Sequence, residues 1–149
     1  MNARVNDPHR AQRELLAGSQ FFAGLSPALL DELVAASRVL ELPANQTLFQ
    51  AGQPIREAHL LFSGSVKRST TTPGGTTKVI ELVQNEQLLG LGEIFGATHY
   101  ASTCSSITQT LLVAINIRKL REATQNHHEL SRRIITALAR RQCATEFDI

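Results

Sequence analysis

The sequence contains little cysteine, and its apolar runs are short. Cys104 and Cys143 are the only cysteines among 149 residues, too few for a disulfide framework or a four-cysteine zinc site. Sparse cysteine is typical of the reducing cytoplasm. No apolar run approaches the roughly 20 residues of a membrane span, and residues 1–18 lack the apolar stretch of a signal peptide. These absences predict one soluble, cytoplasmic domain with no membrane association.

Proline and glycine are absent from the last third of the chain. All five prolines lie at or before Pro73, and all nine glycines lie at or before Gly96. The middle of the chain is therefore predicted to be rich in turns, and residues 97–149 are predicted to be regular. Asp7-Pro8 and Ser26-Pro27 each place a capping acceptor before a proline, which predicts two short helices at the start.

Short apolar segments separated by turn residues run from Val39 to about Ile115. Their regular spacing predicts the strands of an antiparallel barrel or sandwich. Pro73-Gly74-Gly75 is the clearest hairpin turn among them, because glycine tolerates a positive φ.

Two helices are predicted to follow the strands, one capped by Asn116 and a longer one, to about Phe147, capped by Asn126. The apolar residues of the longer helix form a stripe that a second edge widens. Such a stripe indicates contact with both the fold and a partner, although one broad core contact explains the same pattern. We predict a parallel two-fold homodimer through five residues of this helix: Leu130, Ile134, Ile135, Leu138 and Arg141.

The order of short helix, many short strands and two final helices resembles the Crp/Fnr regulators over most of the chain. Residues 21–37 resemble that family's opening helix, residues 48–83 its run of strands and glycine turns, and residues 138–142 the middle of its dimerisation helix. The resemblance implies a mainly β fold with flanking helices, a double-stranded β-helix (β-roll) plus a long C-terminal dimerisation helix. The implied division is a helical lead (1–20), a β-roll sensor domain (21–115) and C-terminal helices (116–149).

In the Crp/Fnr family, a Gly-Glu pair opens a short helix of a phosphate-binding cassette, and an Arg-Ser-Ala stretch closes the site. Two registers stay open here, with Gly90-Leu91 or Gly92-Glu93 at the pair and Tyr100 at the arginine in both. No arginine or lysine lies between Lys78 and Arg118. We therefore predict no micromolar binding of cyclic AMP or cyclic GMP, as in the Fnr and nitrogen-oxide-responsive branches, which this departure resembles. The candidate ligand-binding residues are Gly90, Leu91, Gly92, Glu93, Tyr100, Ala101, Ser102 and Thr103.

The resemblance leaves the cofactor and the effector open. An iron–sulfur cluster is disfavoured because no cysteine precedes Cys104. Five histidines are candidate haem ligands by residue type alone. Surface or helix-capping roles explain the same histidines. A small-molecule or gas effector is expected between the β-roll and the long helix, against residues 90–103, unless Tyr100 fills that pocket. The histidines in question are His9, His59, His99, His127 and His128, and no metal site is predicted.

Two functions fit this sequence. The first is the effector-sensing and dimerisation domain of a transcription regulator, which would contact DNA only through a helix-turn-helix domain absent from this chain. The alternative is a stand-alone module that regulates a partner protein, and the coding sequence beyond Ile149 distinguishes the two. An enzyme of the cupin type is disfavoured because His59 and His99 form no His-x-His pair.

Overall fold

The computed structural model describes the backbone of residues 7–147 and the side chains of residues 7–143. Helices flank a central set of strands on both sides in sequence, and the last helix is the longest. The elements are α1 (Arg10–Gly18), α2 (Pro27–Ala35), β1 (Ser37–Leu42), β2 (Thr47–Phe49), β3 (Glu57–Ser63), β4 (Val66–Thr71), β5 (Thr77–Val83), β6 (Gln87–Leu88), α3 (Leu91–Gly96), β7 (Thr103–Ser106), β8 (Thr110–Asn116), α4 (Ile117–Asn126) and α5 (His128–Phe147).

The strands in the described residues form two antiparallel sheets of four strands each. One sheet has the order β1-β8-β3-β6, and the other has the order β2-β7-β4-β5. Buried side chains of both sheets belong to one apolar core, to which α1 and α2 contribute Leu16, Leu29 and Leu33. Each fully buried leucine adds about 2 kcal/mol by leaving water. The predicted mainly β fold with flanking helices is confirmed.

Two glycines close the tight turns that set the strand register. Gly75 has φ +87° in the turn between β4 and β5, so the hairpin predicted at this place is confirmed. Gly64 has φ +90°, and a Cβ there would collide with the carbonyl oxygen of Gln109. Both positions need glycine because L side chains rarely adopt these backbone angles.

The predicted helix caps differ in their outcome. The Ser26 hydroxyl accepts a hydrogen bond from the Leu29 N–H at 3.3 Å, and the Asn116 side chain accepts one from Lys119 at 3.1 Å. The prediction for Asn126 is wrong, since this residue ends α4 and α5 begins at His128. His127, the residue between the two helices, is extended instead.

Candidate functional site

The site begins at a left-handed glycine that precedes the short helix α3. Gly90 has φ +59° and occupies the N-cap position of α3, a conformation that glycine adopts without a Cβ penalty. Leu91 and Ile94 point into the core and are at most 3% exposed. Glu93 lies on another face of the helix, towards the start of β7. Glu93, and not Leu91, is therefore directed away from the core towards Ala101.

The Glu93 carboxylate is bound by three groups of the same chain. One oxygen accepts hydrogen bonds from the Arg68 guanidinium at 2.6 Å and from the Ser102 hydroxyl at 2.7 Å. The other oxygen accepts one from the Ala101 N–H at 2.8 Å. A guanidinium, a hydroxyl and a backbone N–H are the groups that proteins use to bind a phosphate. A carboxylate of the chain itself thus occupies an anion-binding arrangement.

Sequence reasoning missed Arg68 because it searched only the segment between Lys78 and Arg118. Arg68 lies on β4, where it pairs with Cys104 on one side and with Glu81 on the other. On the β5 side, a bulge places one extra residue, Ile80, opposite the step from Arg68 to Ser69. The sequence signal that could have located Arg68 is the predicted hairpin turn, because pairing β4 with β5 across it places Arg68 near Glu81.

A chain of charged groups joins this arrangement to α5, and we refer to it as the charge relay. It comprises Glu93, Arg68, Glu81 and Arg141. Arg68 donates to Glu93 and also to Glu81, the latter at 2.7 Å. Glu81 in turn pairs with Arg141 on α5. The side chains of Arg68, Glu81 and Glu93 are between 13% and 20% exposed, and that of Arg141 is 30% exposed. Partial burial strengthens such pairs relative to surface ones.

Tyr100 is part of the core rather than an open ligand platform. Its ring stacks on Phe49 with centroids 3.8 Å apart and planes 10° apart, and only 5% of the residue is exposed. Its hydroxyl donates to the Glu57 carbonyl at 2.9 Å, and burial raises the pKa of the phenol. Tyr100 therefore fills space in this structure, as the alternative considered from sequence allowed.

Three further residues of this segment, Gly92, Thr103 and Cys104, have structural roles. Gly92 is exposed on α3. The Thr103 hydroxyl accepts a hydrogen bond from the Ala51 N–H at 3.1 Å. Cys104 is buried, and burial raises the pKa of its thiol to about 12, so it remains a protonated, inert thiol at neutral pH.

The five residues predicted for a dimer interface lie in different environments. Leu130 and Ile134 are at most 3% exposed and pack into the core of the same chain. Leu138 is half-buried, and Arg141 belongs to the charge relay. Only Ile135, at 63% exposed, presents a large apolar side chain outward.

The histidines do not come together. Among the described residues, no group of three or more His, Cys, Asp or Glu side chains could hold a metal ion. His59 is buried beside Phe49, with ring centroids 6.0 Å apart. His99 contacts Thr98, and His127 lies 3.6 Å from Glu32.

Residues 39–127, more than half of the chain, match the family whose sequence model is described as "Cyclic nucleotide-binding domain". The chain belongs to this family. Its match begins in β1 and ends just after α4. It therefore includes nearly all of both sheets and the groups that bind Glu93, but not Arg141.

This cyclic nucleotide-binding domain is similar to a CRP-like cAMP-activated global transcriptional regulator of Mycobacterium tuberculosis. The two are 26% identical over 128 residues, which are 86% of this chain and 57% of the regulator. The chain thus spans little more than half the length of the curated relatives that it matches.

Two solved structures support the same architecture. The sensor domain of the transcriptional regulator DNR from Pseudomonas aeruginosa superposes with a TM-score of 0.76 at 25% identity, covering 94% of this chain and 93% of that one. The catabolite activator protein of Thermus thermophilus has a TM-score of 0.71 at 20% identity, covering 87% and 61%. In residues 7–147 of this cyclic nucleotide-binding domain, we find no helix of sufficient length and apolarity to traverse a bilayer.

We predict that this cyclic nucleotide-binding domain becomes less stable in acid, because His59 is buried. Burial lowers its pKa from the ordinary value near 6.5 to about 4, with Glu57 opposing and Arg38 adding smaller effects. Between pH 6.5 and 4, the His59 imidazole is therefore protonated in the unfolded chain and neutral in the folded chain. We expect the free energy of unfolding to fall by up to about 3 kcal/mol over that window.

Urea titrations of the wild type and of His59→Leu between pH 7 and pH 4 measure this effect. The stability of the variant should depend less on pH across the window, because the group that titrates is gone. Parallel pH profiles of the two proteins would contradict a neutral buried imidazole.

Proposed function

We propose that this chain is the effector-sensing and dimerisation module of a Crp-type transcription regulator that does not bind cyclic AMP in the usual mode. The observation that supports this most strongly is the position of Glu93, whose carboxylate occupies the guanidinium, the hydroxyl and the N–H of the anion-binding arrangement. The similarity to the regulator of M. tuberculosis and to the sensor domain of DNR supports the regulatory role. The module is regulatory rather than catalytic, and it acts in the cytoplasm.

Glu93 competes directly with a phosphate for this arrangement. A cyclic nucleotide would have to displace a carboxylate from three hydrogen bonds, two of them to Arg68 and Ser102. Hydrogen bonds to charged groups are worth about 1.5–3 kcal/mol each. The displaced carboxylate would then face the incoming phosphate, which is also negative. The candidate ligand-binding set narrows to Arg68, Glu93, Ala101 and Ser102, which meet in the anion-binding arrangement. Leu91 packs into the core and Tyr100 stacks on Phe49 instead.

The charge relay connects the hydrogen bonds of Glu93 to α5, the proposed dimerisation helix. A change at Glu93 alters the pairing of Arg68 with Glu81, and Glu81 also pairs with Arg141 on α5. The signal that reaches α5 would change the geometry of the two helices in a dimer.

Exposed apolar side chains support a dimer through α5 and the neighbouring strand β5. Ile135 on α5 is 63% exposed and Leu82 on β5 is 62% exposed. The Arg141–Glu81 pair holds the two elements side by side. A second copy of this chain, related by a two-fold axis along α5, would cover these side chains. Val79 and Ile80 on β5 are also half-exposed.

Sedimentation velocity tests this interface. We expect the wild type to sediment as a dimer and Ile135→Glu/Leu138→Glu to sediment as a monomer, because two carboxylates per chain would be buried without a partner. Gln125→Glu on the exposed face of α4 is the control for added surface charge. An unchanged association state of the double variant, with a native circular dichroism spectrum, would refute this interface.

A further inference from the structure

A cavity of about 640 Å³ lies between α5 and the end of the β-roll. This volume is within the roughly 300–1,000 Å³ of small-molecule sites. Its other walls are formed by the loop after α1, by β6 together with Glu86 before it, and by the first residue of α3. It shares only Leu91 with the candidate residues 90–103, so it is separate from the arrangement around Glu93. Its apolar lining comes from Phe21, Leu88, Leu91 and Ala137.

The α5 wall of this cavity is basic. Four arginines line it, against two glutamates. Each carboxylate accepts one hydrogen bond from the backbone, Glu86 from the Gln20 N–H at 2.5 Å and Glu129 from the Ser26 N–H at 3.2 Å. The lining therefore still has two more positive than negative side chains. The four arginines are Arg132, Arg133, Arg140 and Arg141.

The arginines differ in what they bind. Arg133 donates to the Phe21 carbonyl at 2.8 Å, and Arg141 donates to Gln87 at 2.9 Å as well as to Glu81. Within the described residues, Arg132 and Arg140 have no hydrogen bond or ion pair. They lie eight residues apart, about two helical turns, along the wall of the same cavity. Both side chains are exposed and line the cavity.

We propose that this cavity binds an organic anion with an apolar body. The body would pack against Phe21, Leu88 and Ala137, and the acid group would be held by Arg132 and Arg140. Arginine suits this task because its planar fork matches the oxygens of carboxylates, sulfonates and phosphates. Naming this ligand an effector rests on the proposed sensor function, whereas binding itself does not. The Arg141 side chain is shared by the cavity and the charge relay, so an anion here would also reach the pairing of Glu81.

Fluorescence titration with anilinonaphthalene sulfonate tests this site, and N-phenylnaphthylamine is the matched probe without the acid group. We expect saturable binding of one sulfonate per chain and at least about tenfold weaker binding of the uncharged probe. The Arg132→Gln/Arg140→Gln variant should lose a similar factor for the sulfonate only. Arg118→Gln, an exposed arginine on α4, should bind both probes as the wild type does.

A second variant separates loss of the site from loss of the fold. Thr136 is exposed and lines the cavity, so Thr136→Phe should fill the space, abolish binding of both probes and leave the melting temperature unchanged. Equal affinity of the two probes for the wild type would overturn the proposal, as would unaltered sulfonate binding in the double arginine variant. Sedimentation of the same samples reports on the dimer, so a failure of this site and a failure of the proposed dimerisation module are distinguishable.

Discussion

Replacing Arg68 with methionine should lower the free energy of unfolding by about 3 kcal/mol, since it leaves two largely buried carboxylates without their shared cation. Glu81 and Glu93 are only 20% and 15% exposed, and Arg68 separates their charges. For a chain of this length, that loss corresponds to a fall in melting temperature of roughly 6 to 12 °C. Urea denaturation followed by circular dichroism measures it.

Two companion variants identify the cause of this effect. Arg68→Lys retains the charge but not the two-pronged geometry, so its stability should fall between those of the wild type and Arg68→Met. Arg68→Met/Glu93→Gln removes one of the stranded charges and should recover part of the loss. If the double variant is less stable than Arg68→Met alone, then the stranded-carboxylate explanation is wrong and Arg68 acts through packing of its stem.

Replacing Tyr100 with alanine should cost about 3–5 kcal/mol, the usual range for removing a buried aromatic ring. The ring stacks on Phe49 at 3.8 Å and lies 5% exposed at the centre of the segment that follows α3. Its loss leaves a cavity against Phe49 that the surrounding strands fill only in part. Chemical denaturation gives the value directly.

Tyr100→Phe separates the ring from its hydroxyl. This variant keeps the stacking and loses only the hydrogen bond to the Glu57 carbonyl, so we expect a cost of about 1 kcal/mol. A Tyr100→Ala variant as stable as Tyr100→Phe would show that the ring is not a structural part of the core, and Tyr100 would return as an open ligand platform.

The fold could be predicted from the sequence because its determinants are local or periodic. The Pro73-Gly74-Gly75 turn, the short apolar segments and the Asn116 cap each specify their own neighbourhood. Asn126 failed as a cap because α4 continues through it, and a single capping residue competes weakly with helix propagation. Leu130 and Ile134 were predicted for a dimer interface, but they pack into the core of the same chain, because periodicity alone does not distinguish a core from a partner.

The candidate site could be predicted only in part, since its charges come from distant segments. The sequence left two registers of the cassette open. The observed register depends on Gly90, whose left-handed backbone caps α3, so that the helix begins at Leu91. Arg68 reaches Glu93 across 25 positions of sequence because β4 pairs with β7, which places Arg68 opposite Cys104. A search confined to the cassette finds no cation, whereas the strand pairing supplies one from outside it.

We propose that Glu93 occupies the place that a nucleotide phosphate would need. Isothermal titration of the wild-type chain with cyclic AMP and cyclic GMP tests it most directly. We expect no saturable binding of either nucleotide at micromolar concentration, because the Arg68, Ala101 and Ser102 groups are already bound to Glu93. Saturable micromolar binding of either nucleotide would contradict it.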